Sequence, residues 1–133
     1  MDNKVIRHKD LSESGRWSCM PFAQQMANIG SEVFRASKWK DKGKPDRAMS
    51  ALERALELLD FTVASMQEQN RNPREILRMR ELLCDYFCGK NEYASTGASL
   101  NKYFDAFSAK AALQRSTQPA RAVDNSIFPI NTK

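Results

Sequence analysis

The sequence predicts an all-α protein: an antiparallel up-down-up-down four-helix bundle with a basic N-terminal arm and an irregular C-terminal tail. Three observations predict it. Apolar residues recur at spacings of three and four through most of the chain, no stretch alternates with the period of two that a half-buried strand needs, and glycines and prolines fall mainly between the periodic segments. A chain of 133 residues has room for one core, since single domains cluster around roughly 100–150 residues. Four stripes joined by short loops are buried most economically against one another. The division is an arm over 1–17, the bundle over 18–116 and a tail over 117–133.

The arm has no sustained period and carries Lys4, Arg7, His8, Lys9 and Arg16 among polar residues. From Pro21 the pattern changes: Phe22, Met26, Ile29, Val33 and Ala36 mark one buried helical stripe, with Ser18 as a cap candidate. This first helix runs to about Asp41, where lysines and Gly43 suit a helix C-terminus. Pro45 and Asp46 open the second helix, whose stripe is Met49, Leu52, Leu56, Leu59, Val63 and Met66. Asn72, Pro73 and Glu75 stand in the order of a capping box and start the third. Ile76, Met79, Leu83 and Phe87 line its face, widened by Leu82 and Tyr86, until Gly89 supplies a left-handed terminator. Ser95 or Thr96 caps the fourth, which carries Leu100, Tyr103, Phe104, Phe107 and Ala111 and fades near Arg115. The tail holds only the small cluster Ile127–Ile130.

Composition narrows the function classes. No apolar run reaches the roughly 18–20 residues of a membrane span, and no apolar signal core opens the chain, so the expectation is a cytoplasmic protein without a membrane partner. Three cysteines, an odd number, argue against a disulfide framework; Cys84 and Cys88, four apart, read as buried thiols packing as small apolar groups. The net charge of +5 favours an acidic partner only if the charges are clustered.

They are clustered. Lys38, Lys40, Lys42 and Lys44, joined by Arg35 and Arg47, crowd the turn between the first two helices and would attract a phosphate backbone. Arg71, Arg74 and Arg78 recur at helical spacing on the third helix, and arginine forks suit phosphate. In an up-down arrangement these two groups occupy opposite poles. Each has a plainer reading: a solvated helix end complementing the dipole for the lysines, and pairing with Glu75, Glu81 or the acidic second helix for the arginines. That second helix carries Glu53, Glu57 and Asp60 on one face, suited to salt bridges with Arg54, Arg78 or Arg80.

A di-metal carboxylate site would need histidines on two helices, and the only histidine is His8, so neither metal nor cofactor is expected. Glycine-rich phosphate loops, a serine elbow and paired-cysteine zinc spacing are absent, as is the arginine-then-histidine pair of the helical ribonucleases. No catalytic residue emerges. Most of Tyr86, Phe87, Tyr93, Tyr103, Phe104 and Phe107 falls at core spacing, whereas Trp39 sits off the stripe within the lysine comb, where an interface would use it.

The segments MANIGSEVFRASKWKDKG, ALERALELLDFT, LRMRELLCDYFCGKNEY and YFDAF resemble a family of small uncharacterised prokaryotic four-helix proteins over about residues 17–112. In size, basicity and helix pattern the chain is also similar to the accessory variability proteins of diversity-generating retroelements and to ribosomal-RNA intervening-sequence proteins. That likeness implies a ring-forming, non-enzymatic protein that binds nucleic acid and assists a reverse transcriptase. The expectation is therefore a homo-oligomeric accessory that holds RNA or DNA beside a larger protein such as a polymerase. The alternatives are a helical protein–protein adaptor whose charges are merely solvated and an enzyme using a carboxylate such as Glu57.

Overall fold

The structure is a computed structural model that describes residues 16–117. Five helices follow in order: α1 (Arg16–Cys19), α2 (Phe22–Asp41), α3 (Pro45–Glu68), α4 (Arg74–Cys88) and α5 (Gly97–Thr117). All regular structure among the described residues is helical. The basic arm up to residue 15 and the tail from residue 118 lie outside the described residues.

Helix α2 lies along both α3 and α5, and α3 in turn carries α1 and α4. Its core face is the expected stripe, with Met26, Ile29, Val33 and Ala36 fully buried. A second buried row of Ala23, Gly30 and Ser37 turns toward α5. Small side chains there bring the two helices together: a β-carbon at Gly30 would lie 2.6 Å from the β-carbon of Phe104, and one at Gly97 would lie 2.5 Å from the Ser37 hydroxyl. Gln24 meets Arg115 near the start of α2, and Ser37 meets Gly97 near its end, so α2 and α5 run in opposite directions. On the other side Glu32 meets Arg54, and the indole of Trp39 meets Arg47 near the turn, which sets α3 against the direction of α2. Helix α4 returns along α3, tied by Arg80 to Asp60. It reaches α5 through the Tyr103 hydroxyl, which donates to Glu75 at 3.1 Å.

Arg16 and Trp17, read from sequence as the end of the arm, form a helical turn. Trp17 is 2% exposed. Its indole N–H donates to Thr62 Oγ1 at 3.0 Å and its carbonyl accepts from the buried Gln25 amide at 2.6 Å, so the turn is locked across α2 and α3. The Thr62 hydroxyl then donates to Leu58 O, which satisfies it in the core. Ser18 lies inside this turn and caps nothing; α2 starts after Pro21 with no side-chain cap.

Other terminal signals are met in part. Asn72 Oδ1 accepts the Arg74 N–H, but Glu75 does not complete the box because its carboxylate is held by Tyr103. Thr96 and Ser99 form a reciprocal box at the head of α5, each side-chain oxygen accepting the other's backbone N–H at 2.9 Å. That helix runs to Thr117, slightly past Arg115. Gly89 is not left-handed but extended, at φ −105° and ψ −154°. The left-handed positions fall later, at Asn91 and Ala94, because Asn91 clips Ser95 in both directions and Asp85 accepts the N–H groups of Glu92 and Tyr93.

Two packing expectations change. Met49 is exposed, because α3 turns the small Ala48, Ala51 and Ala55 toward its neighbours and Met49 falls outside that row. Cys88 and Cys19 are exposed and Cys84 is half-buried, so the thiols are not core groups; α4 buries only Ile76, Met79 and Leu83, and the cysteines flank that stripe.

Gly30→Ala should lower unfolding free energy by about 1–3 kcal/mol, as overpacking does when the obstructing atom is a buried β-carbon that cannot swing away. Trp17→Ala should cost about 3–5 kcal/mol. Urea denaturation of the two variants beside the parent chain checks both values.

Candidate nucleic-acid interface

The comb is built by the last turn of α2, the tight turn after it and the first turn of α3. Lys42 N–H donates to Lys38 O, Gly43 N–H to Lys40 O and Lys44 N–H to Trp39 O, so three carbonyls of the helix end are used by the turn itself. Gly43 takes φ +72°, which is the conformation this reversal needs. Lys38, Lys40, Lys42, Lys44 and Arg47 are all exposed.

Aromatic rings back these cations. Lys38 Nζ lies 5.4 Å from the Phe34 ring centroid and Lys40 Nζ lies 4.9 Å from that of Tyr86, which α4 brings alongside. Trp39 carries two cations, Lys42 Nζ at 5.3 Å and the Arg47 guanidinium at 4.7 Å. Each such contact is worth about 0.5–1 kcal/mol at an exposed site. That is enough to bias where a flexible ammonium sits, and too little to prevent its exchange onto a stronger anion. The comb is thus a group of pre-positioned charges mounted on aromatic faces at one end of the helices.

Arg35 does not belong to it. Its guanidinium lies 3.2 Å from Glu32, which also accepts from Arg54 at 3.0 Å, so one carboxylate from α2 links a neighbour on its own helix to one on α3. The arginines of the second group stand at the other end of α2. Arg71 stacks over Phe22 at 5.0 Å, 18 positions before Lys40, which is about 27 Å along a helix at its standard rise. Arg74 and Arg78 are exposed on the first two turns of α4. The nine basic residues therefore divide into a comb of five, a distal set of three and Arg35 apart.

Of the acidic face on α3, Asp60 receives both arms of Arg80 at 2.9 and 3.4 Å, the structural pairing expected for that helix. Glu57 is buried at 4% exposure and has interaction partners. No group of three or more metal-ligating side chains occurs among the described residues. Partial desolvation, followed by the neighbouring Cys84, raises the pKa of the exposed Cys88 thiol, which keeps that sulfur protonated and a poor nucleophile near neutral pH. No described helix is long and apolar enough to cross a membrane.

Tyr86 and Phe34 were not singled out for the comb by sequence. Phe34 precedes Lys38 by one helical turn, a local signal. Tyr86 joins only through tertiary packing. No family model, curated protein or solved structure matches this chain significantly, so its own geometry carries the functional reading.

Near the opposite end, burial first and then the Glu75 carboxylate it donates to raise the Tyr103 phenol far above its ordinary value. The folded state therefore holds this proton more tightly than the unfolded chain. The resulting stabilisation is complete below the ordinary tyrosine value of about 10 and fades as pH rises beyond it. Denaturation of the parent and Tyr103→Phe at pH 8 and pH 11 should show the parent losing more stability over that alkaline interval.

Proposed function

We propose that this protein is a non-enzymatic accessory that oligomerises and uses the lysine comb to hold RNA or DNA within a larger assembly, its four long helices forming an up-down-up-down bundle. The observation that carries the nucleic-acid reading is the clustering of Lys38, Lys40, Lys42, Lys44 and Arg47 around one helix turn, with aromatic rings beneath four of them. Phosphate oxygens replace the modest cation–π contacts with stronger charge-assisted ones, and counterion release adds to the gain. The opposite directions of α2 and its two long neighbours support the bundle. The distal Arg71, Arg74 and Arg78 stand too far from the comb to share a short ligand, so within one chain they act as a second contact point for a long one. The larger protein would be a polymerase, the reverse transcriptase of a diversity-generating retroelement being the specific case that the family likeness suggests.

A helical adaptor without nucleic-acid contact is the second reading, favoured by the exposed Leu77 and Leu113, at 47% and 63% exposure. Salt separates the two readings, because association through apolar surface is nearly indifferent to it.

Electrophoretic mobility shifts with a single-stranded RNA and a DNA duplex at about 50 and 200 mM salt should show binding that weakens steeply with salt. The Lys38→Gln/Lys40→Gln/Lys42→Gln variant should flatten the logarithmic salt slope by up to about three, one for each phosphate contact removed. No binding of either ligand at the lower salt would exclude direct recognition.

A further inference from the structure

We propose that the groove between α2 and α5 is the contact surface for a second copy of this chain, in a two-fold pair where Phe34 of each copy enters the other's groove and Arg35 meets Asp105. This rests on the oligomeric half of the reading above and not on nucleic-acid binding. The groove encloses about 510 Å³ and lies over Gly30 and Phe104, with Phe34 and Arg35 on the α2 side and Asn101 and Asp105 on the α5 side. Gly30 lets α5 approach until Phe104 fills the space beside its α-carbon, and the groove opens on the solvent side of that contact.

Three features point to a protein occupant. Phe34 is 49% exposed at the rim, one turn from Gly30, and the Lys38 ammonium over its ring leaves much of this large aromatic in water. The Oδ1 atom of Asn101, in the α5 wall of the groove, is buried with no hydrogen-bond partner, which marks this wall as incompletely satisfied within one chain. The two charges have opposite signs on opposite walls. Arg35 keeps 56% of its side chain exposed despite its contact with Glu32, and Asp105 is exposed with no cation at ion-pair distance among the described residues.

These charges select the second copy. A two-fold contact requires a surface complementary to itself, with each residue meeting its counterpart's partner. An axis passing between Arg35 and Asp105 brings each guanidinium to the other copy's carboxylate, so one axis satisfies both charges twice. A uniformly charged partner would match one wall and repel the other.

Sedimentation equilibrium of the full chain from about 1 µM to 1 mM should show a concentration-dependent dimer. Phe34→Asp should raise its dissociation constant on the order of 100-fold, as loss of a buried aromatic anchor does. Arg35→Asp and Asp105→Arg should each raise it about 10-fold, and the double exchange should return it to within a few-fold of the parent, because both charges of the pair then swap together. Circular dichroism of each variant verifies the fold, and the charge exchange lies at exposed positions that bear no core load. A chain that stays monomeric throughout overturns the proposal and leaves the groove to a different ligand. A dimer indifferent to Phe34→Asp, or a double variant no tighter than the single ones, overturns it equally. Mobility shifts of the parent and of the Arg35 and Asp105 variants keep the two ideas apart, since Phe34 also underlies Lys38: nucleic-acid binding by a monomer removes the dimer alone, and a dimer that binds no nucleic acid removes the comb's role alone.

Discussion

The placement of α5, and with it the closure of the core, depends on how closely that helix approaches α2 at Gly30. Helix α2 has neighbours on two sides and the core on a third, so it can present large side chains to only some of them. The core takes Met26, Ile29 and Val33, and the α5 side is left with Ala23, Gly30 and Ser37. Phe104 then lies against bare backbone, and its ring reaches the shared interior at 2% exposure. A larger residue at position 30 would lift α5 and withdraw Phe104, Leu100 and Ala111 from that interior together. Helix α5 has little amphipathic character of its own to hold it elsewhere: outward positions such as Ala106, Ala109 and Ala112 are apolar as well.

The same helix arrangement decides what the charges can do. Five cations converge because the end of α2, the start of α3 and the end of α4 lie at one pole, with Tyr86 supplied from the last of these. Residues at a helix C-terminus face unsatisfied carbonyls, which favour cations without any ligand. The turn at Gly43 has taken several of those carbonyls for its own N–H groups, and the side chains rest on rings instead. That distinguishes the comb from an ordinary basic helix end. Arg35, counted with it by sequence, is drawn away by Glu32, and a difference of one helical turn gives it another surface.

How much was readable from the sequence follows from the range of the interactions. The four long helices, most of their stripes and a cap at Ser95 or Thr96 rest on residues three or four apart, and these were legible. So was the separation of the lysine comb from Arg71, since helix length and alternating direction fix it. Interactions spanning many residues were not. Trp17 reads as part of a polar arm because its acceptor, Thr62, is 45 residues away. Gly89 reads as a left-handed stop because glycine usually is one, yet Asp85 and Asn91 organise that loop through side chains that no glycine rule contains. The exposed thiols fall in the same class: the spacing of Cys84 and Cys88 matches a helical face, but only the way α4 packs on its neighbours decides which part of that face is covered.

The latch between Trp17 and Thr62 also has a consequence for how the chain is made. Synthesis proceeds from the N-terminus, so the indole is made 45 residues before its acceptor. Until most of α3 has followed, one of the largest apolar groups in the protein has no permanent site. Gln25, only eight residues later, can already engage the Trp17 carbonyl, which holds the turn near the head of α2 while the acceptor is awaited. The nascent chain thus carries an early local clasp and a late distant one on a single residue, and closure of the second marks the arrival of α3 alongside α2.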